Sequence, residues 1–219
     1  MKYQHYEANN DQWICEEIYP GKKGGFFVEA GVLNGVNNSA TYVLEKYLGW
    51  KGITVEPDIN LHTQARKNRQ ICEPICLGDR SGYVTFVASG SPGYSGVKNY
   101  LLETEEYAKK GGWLKDEWRT GSGINSEYQV RMITLEDLLD MHGAPRRIDY
   151  TAFDMEGAEH HVLQAFSFER YQLMALSVEG ERCTDLLGSK GYIQVKNKFN
   201  TDCKHERYFL HPDLYHRLY

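Results

Sequence analysis

Short β-branched and aromatic runs alternate along this chain with stretches of helical character. Asn10 to Tyr19 reads as a short opening helix stopped by Pro20-Gly21. FFVEAG (Phe26 to Gly31) is an apolar run ending in an acid and a glycine. Ser39 is placed to cap a helix from Ala40 to Leu48, which Gly49 ends. ITVEP (Ile53 to Pro57) is a second strand that also ends in an acid, and Asp58 caps a helix running through Arg69. A third strand is expected near Pro74 to Leu77. Strand-helix alternation with short connections is the signature of a parallel sheet covered by helices on both faces.

The alternation resumes at Thr134. There TLED forms a capping box, with Thr134 as cap and Asp137 in place of the usual Glu or Gln, and a helix is expected to Met141. Ile148 to Phe153 is a strand, followed by DMEG and a helix from Ala158 to Ala165. Leu173 to Gly180 (LMALSVEG) is the next strand. GYIQVKNKF and RYFL suit a closing antiparallel pair. Between the halves lies an excursion of 39 residues, Ser89 to Glu127, with seven glycines and the aromatics Tyr94, Tyr100, Tyr107, Trp113 and Trp118. That is long for a structureless connection. It reads as a lid or substrate wall over the strand ends, with one helix at Tyr100 to Lys110. A solvated surface loop is the plainer alternative.

Composition narrows the choices. The 219 residues suit a single domain, 1–219. The formal charge of −5 argues against a nucleic-acid partner, which needs a basic face. A mean hydropathy of −0.58 and the lack of a long apolar run argue against a membrane span. The polar first residues do not resemble a secretory signal. Five scattered cysteines fit a reducing compartment better than a disulfide framework, so a cytoplasmic location is expected.

The candidate chemistry sits at strand ends. Glu29, Glu56, Asp154 and Glu179 each close a strand, and in an open parallel sheet ligands bind in the crevice outside the carboxyl ends. The turn from Glu29 through Ala30, Gly31 and Asn34 to Gly35 lets backbone approach a ligand closely. Its glycine spacing is not the Gly-x-Gly-x-x-Gly of dinucleotide sites, which excludes a nicotinamide oxidoreductase. Glu56, before Pro57, is placed to accept both hydroxyls of a ribose.

The segments FFVEAGVLNGVNNSATYVLE, GWKGITVEPD, TLEDLL, YTAFDMEGAEHHVLQAF and LSVEG, in unbroken order, resemble the FkbM family of S-adenosylmethionine-dependent methyltransferases. DMEGAEHHVL is similar to the family's Asp-x-Glu-Gly-x-Glu-x-x-x-Leu signature. The resemblance implies a Rossmann-like class I methyltransferase sheet, mostly parallel with an antiparallel last strand. It implies S-adenosylmethionine as cofactor and O-methylation of a hydroxyl on a sugar or natural-product-like small molecule. It places Glu29, Gly31 and Gly35 in the first cofactor motif. Asn34 and Ser39 fall near the methionine end, Glu56 on the ribose, and Gly78 and Asp79 near the adenine edge. Asp154, Glu156 and Glu159 match the late signature. Val32-Leu33 departs from the usual polar loop, and the pair His160-His161 is unusual.

An alkyl hydroxyl is a weak nucleophile, so a positioned base is expected among Asp154, Glu156 and His160. Asp154, Glu156 and Glu179 are also of the type that ligates Mg²⁺, a lesser alternative for which the sequence supplies no common position. Zinc at Cys72 and Cys76, or at Cys203 and His205, is weaker still. The rival function is a non-catalytic relative that keeps the fold to bind a partner or cargo.

Overall fold

The computed structural model describes every residue except Met1, Tyr6, Ser91 and residues 111–123. Helix α1 (Asn10–Trp13) passes directly into one π-helical turn, Ile14–Ile18. Then come β1 (Phe26–Ala30), α2 (Tyr42–Leu48), β2 (Lys51–Val55), α3 (Ile59–Asn68) and β3 (Cys72–Glu73). The middle of the chain forms β4 (Cys76–Leu77), β5 (Gly82–Ser89), β6 (Gly96–Val97), α4 (Lys98–Lys110) and β7 (Ile124–Ile133). It continues as α5 (Leu135–Met141), β8 (Arg147–Phe153), α6 (Glu159–Ala165), β9 (Gln172–Glu179) and α7 (Cys183–Ser189). Strands β10 (Ile193–Val195) and β11 (Glu206–Leu210) and helix α8 (Pro212–Leu218) complete it.

Seven strands form the main sheet, in the order β10-β11-β9-β8-β1-β2-β3. β1, β2, β3, β8 and β9 pair in parallel, while β11 runs antiparallel to both neighbours. The expected sheet, with its last strand reversed, is therefore present. Alternation along each strand sends side chains to two cores. On one face Val28, Ile148 and Leu176 pack with Leu138 of α5, Leu163 of α6 and Leu187 of α7. On the other, Phe27, Tyr150 and Ala175 pack with Trp13, Leu44 of α2 and Leu214 of α8.

Local signals set several helix ends as expected. Asp58 accepts from the Asn60 and Leu61 amides, and Thr134 Oγ1 accepts from the Asp137 amide. The Asp137 carboxylate of this box also takes the Ser81 hydroxyl. Helix α2 begins at Tyr42, later than Ala40, and Ser39 Oγ accepts from the Thr41 and Tyr42 amides.

Two features differ from the sequence reading. The third strand is split: β3 completes the main sheet and β4 opens a second one. Pro74, between them, has no amide hydrogen to donate to a ladder. The second sheet, β4-β7-β5-β6, is built on a long antiparallel pairing of β5 with β7. Both ends of the excursion are thus strand, and its helix is α4, two residues longer at its start. Trp113 and Trp118 lie outside the described residues. Among the described residues no helix is long and apolar enough to cross a membrane. All five cysteines are free thiols, and four are buried.

Candidate active site

The strand order reverses at β1, which has β2 on one side and β8 on the other. At such a point the connections leave in opposite directions and a crevice opens. Here it is a cavity of about 930 Å³. Ala30 and Gly31 come from the end of β1, Val55, Glu56 and Pro57 from β2, and Ile75, Cys76 and Leu77 from the split strand. The turn Asp154 to Glu159 and His160 follow β8, and Glu179 to Cys183 follow β9. Phe86, Tyr94 to Val97 and Thr104 contribute from the second sheet and the excursion, and Glu7, Asn38 and His205 close the rim.

Gly31 is required by contact. It sits at φ +85°, and a Cβ built there would lie 1.8 Å from the carbonyl oxygen of Asp154. The Gly31 amide donates to Val55 O (3.0 Å) and the Asp154 amide to Ala30 O (3.1 Å), so three strand ends are tied at the crevice floor.

Glu29 does not face the crevice. It shares the Phe27 face of β1, beneath α2, and is buried. Its carboxylate accepts from the Ala40 amide (2.6 Å), the Ser39 hydroxyl (2.9 Å) and the Thr41 hydroxyl, and pairs with Arg69 Nη1 at 3.2 Å. Those four partners fill the acceptor positions of a carboxylate. Arg69 also pairs with Glu45 at 2.7 Å. Ser39 belongs to this network. Asn34 Oδ1 accepts from the Val36 and Asn37 amides, and Gly35 rests on Ala65 and Arg69. Gly78 packs on Met132, and Asp79 pairs with Arg80 and with Tyr100 OH. Glu29, Asn34, Gly35, Ser39, Gly78 and Asp79, expected at the cofactor, therefore shape the walls without lining them.

Glu56 does line the crevice and is buried. One carboxyl oxygen accepts from the Leu33 amide (2.8 Å), the other from the Asp58 amide (3.0 Å). Leu33 takes φ +50° to present that amide. Burial outweighs these donors and raises the Glu56 carboxyl from its ordinary value to about 8.

The DMEGAE signature folds as a tight acidic turn. Glu156 lies at φ +57° and Gly157 at φ +103°, where a Cβ would strike Thr104 Oγ1 at 1.9 Å. Glu159 ties the turn by accepting from the Met155 and Gly157 amides. Asp154, Glu156 and Glu179 each place a carboxyl oxygen within 4.8 Å of the others, close enough to share a cation. Asp154 opens onto the crevice, yet protein surrounds the rest of it. Desolvation, then the charge of Glu179, raises its carboxyl well above the usual range. Burial raises Glu179 to about 8 and Glu159 to about 7.

His160 Nδ1 lies 3.0 Å from the carbonyl oxygen of Arg182. A carbonyl only accepts, so Nδ1 carries the proton and the Nε2 lone pair is the basic one. Burial, then the Arg182 charge, lowers the pKa of the ring. His161 turns to the other side and stacks on Tyr100. Sequence reasoning missed Glu7, Asn38 and Arg182, which carry no local motif and reach the rim through the tertiary fold, and considered His205 only as a weak zinc ligand. It also missed Ile75 and Phe86, which form an apolar wall with Leu77.

A mostly parallel sheet with a reversed last strand, and a crevice formed by the turns after β1, β2 and β8, define a class I methyltransferase domain. The chain belongs to the FkbM family: the Methyltransferase FkbM domain matches residues 29–186. No curated protein matches it. Among solved structures it is similar to the METTL16 MTase domain, at 13% identity and TM-score 0.41, covering 92% of this chain and 65% of that one. The chain thus spans just under two thirds of that relative. It is also similar to a human methyltransferase 10 domain containing protein, at 10% identity and TM-score 0.40, covering 92% and 79%.

Proposed function

We propose that this protein is an S-adenosylmethionine-dependent O-methyltransferase acting on a hydroxyl of a sugar or natural-product-like small molecule. The observation that carries the reading is the crevice at the β1–β8 switch. It places a buried acid, Glu56, beside an apolar wall, and three convergent carboxyls at the end of β8 and β9. The cofactor suits this chemistry. Gly31 leaves the floor open to close approach, Ile75, Leu77 and Phe86 suit an adenine, and Glu56 suits ribose hydroxyls. The carboxyls around Asp154 suit the cationic methionine end. The cavity lies at the upper end of the ~300–1,000 Å³ usual for such sites, leaving room for an acceptor.

When bound, the cofactor supplies an activated methyl group. The chain's part is alignment, exclusion of water and removal of one proton. A positive charge in the crevice lowers the raised pKa values of Asp154 and Glu179, so that a deprotonated carboxylate is available to accept a proton. Asp154 is the base of this reading, with Glu156 orienting the acceptor hydroxyl. His160, neutral and with Nε2 unprotonated, receives or relays the proton. The rim carries Glu7, Glu156, Glu179 and Glu181 against Arg182, which disfavours phosphate-rich acceptors and nucleic acid.

Isothermal titration with S-adenosylmethionine and S-adenosylhomocysteine tests the reading. Binding of both, followed by release of S-adenosylhomocysteine in the presence of a hydroxyl acceptor, is expected. A folded protein that binds neither sinks it.

A further inference from the structure

The signature is followed by two adjacent histidines that face opposite walls. His160 holds the carbonyl of Arg182, after β9. His161 meets the excursion. Its ring lies flat on Tyr100 of α4, centroids 4.0 Å apart and planes 12° from parallel. His161 Nε2 is 2.9 Å from Glu103 Oε2, an ion-pair distance without the alignment of a hydrogen bond. Arg182 Nη2 stands 3.8 Å from the same carboxylate oxygen. Tyr100, Glu103 and Thr104 are spaced three and four residues apart, so they share one face of α4. On that face Thr104 occupies the space that a Cβ at Gly157 would need. At the other edge Tyr100 OH donates to Asp79 Oδ1 at 2.9 Å.

Helix α4 follows β6 directly, and Gly96, Val97 and Thr104 line the crevice. The position of α4 against α6 therefore sets the width of the mouth opposite Asp154 and Glu156. Tyr100 and Leu101 are buried, Tyr100 in a cluster with Val97, Met132 and Ala158, while Leu102, on the far side, is exposed. To this seam His161 adds the flat stack on Tyr100 and the contact with Glu103.

We infer that His161 is a positioning residue. Through its stack on Tyr100 and its pair with Glu103 it latches α4 onto α6, and so holds the acceptor-side wall of the crevice in register with the catalytic turn. The inference rests on the methyltransferase reading for the meaning of that wall, but not for the latch itself. It also accounts for the pairing of the histidines: one side chain anchors each wall to the same helix.

The test uses the full chain and needs no acceptor. Backbone hydrogen exchange is followed in wild type, His161→Ala and His161→Phe, and S-adenosylhomocysteine affinity is measured by calorimetry in each. His161→Ala is expected to speed exchange across Lys98–Lys110 by about tenfold or more, leaving β8 and β9 protected. His161→Phe keeps the flat ring but not the Glu103 contact and is expected to recover part of the protection, the share carried by the stack. Affinity for S-adenosylhomocysteine should stay within about twofold in both, since the wall faces the acceptor side. Unchanged exchange in α4, loss of protection spread through β8 and β9, or no recovery with Phe would each overturn the latch. A wild type that does not bind S-adenosylhomocysteine defeats the functional reading while leaving the exchange result interpretable.

Discussion

At the scale of single residues, the carboxylates of this chain divide into two kinds. Glu29 is saturated by four partners and belongs to the frame; Glu56 and Asp154 face the crevice. Arg69→Ala leaves Glu29 buried with no cation and Glu45 with only Lys46, 3.9 Å away. Breaking a buried pair typically costs ~3–5 kcal/mol, so a large drop in urea midpoint is expected. Glu56→Gln keeps one acceptor oxygen for the backbone and puts an amide nitrogen where the other oxygen stood. If Glu56 binds a ribose, S-adenosylhomocysteine affinity should fall by about tenfold, reflecting ~0.5–1.5 kcal/mol for each hydrogen bond lost. Unaltered affinity in calorimetry would remove Glu56 from the site. Asp154→Asn keeps the shape without the basicity. Methyl transfer, read by release of S-adenosylhomocysteine, should slow by ~10²-fold or more, while cofactor affinity changes by less than about tenfold, or ~1.4 kcal/mol. An equal fall in affinity would mean that Asp154 chiefly holds the cofactor.

At the scale of elements, what the sequence revealed depended on how local the signal was. β1, β2, β8 and β9 each carry a β-forming run, a terminal acid and a following helix within one short segment, so the main sheet and the positions of Gly31, Glu56 and Asp154 were legible. The helix caps at Asp58 and Thr134 were legible for the same reason. The second sheet was not. β5 and β7 are partners across the whole excursion, and Pro74 divides one apolar run between two sheets. The place of Glu29, behind the crevice wall, was not legible either. Strand alternation decides which side an acid faces, and here it sends Glu29 beneath α2. The cap at α5 offers a direct check of the local logic. Thr134→Ala should destabilise the protein by ~0.5–2 kcal/mol, as a lost N-cap does, with no effect on cofactor binding. No measurable change in thermal unfolding would show that the Ser81–Asp137 contact holds the helix start instead.

At the scale of the whole molecule, the carboxyls gathered around the crevice make stability depend on pH. Burial raises Glu56, Glu179 and Glu206 from 4.5 to about 8, and Glu159 to about 7. The folded state therefore keeps protons that the unfolded chain has already released. The stability these groups contribute is present below the unfolded value of 4.5 and is lost as pH rises through 7 to 8. Thermal unfolding without ligand should give a higher Tm at pH 6.5 than at pH 8.5. Glu179→Gln should flatten that slope, and a bound cationic ligand should flatten it too. A Tm that rises over this interval would mean that the acids are ionised and solvated in the folded protein.

The buried thiols beside the crevice have a practical consequence. Cys76 and Cys183 both line the crevice, and burial pushes Cys76 up to about 12 and Cys183 higher. Only the thiolate reacts readily, so in the closed protein both are nearly inert to alkylating reagents at neutral pH. Cys203, half-buried in the loop before β11, is the first to be labelled. Labelling at Cys76 or Cys183 then reports how often that part of the fold opens, and a molecule seated in the crevice should slow it. The protein thus carries its own footprinting tags for ligand occupancy, readable by mass spectrometry without an engineered label.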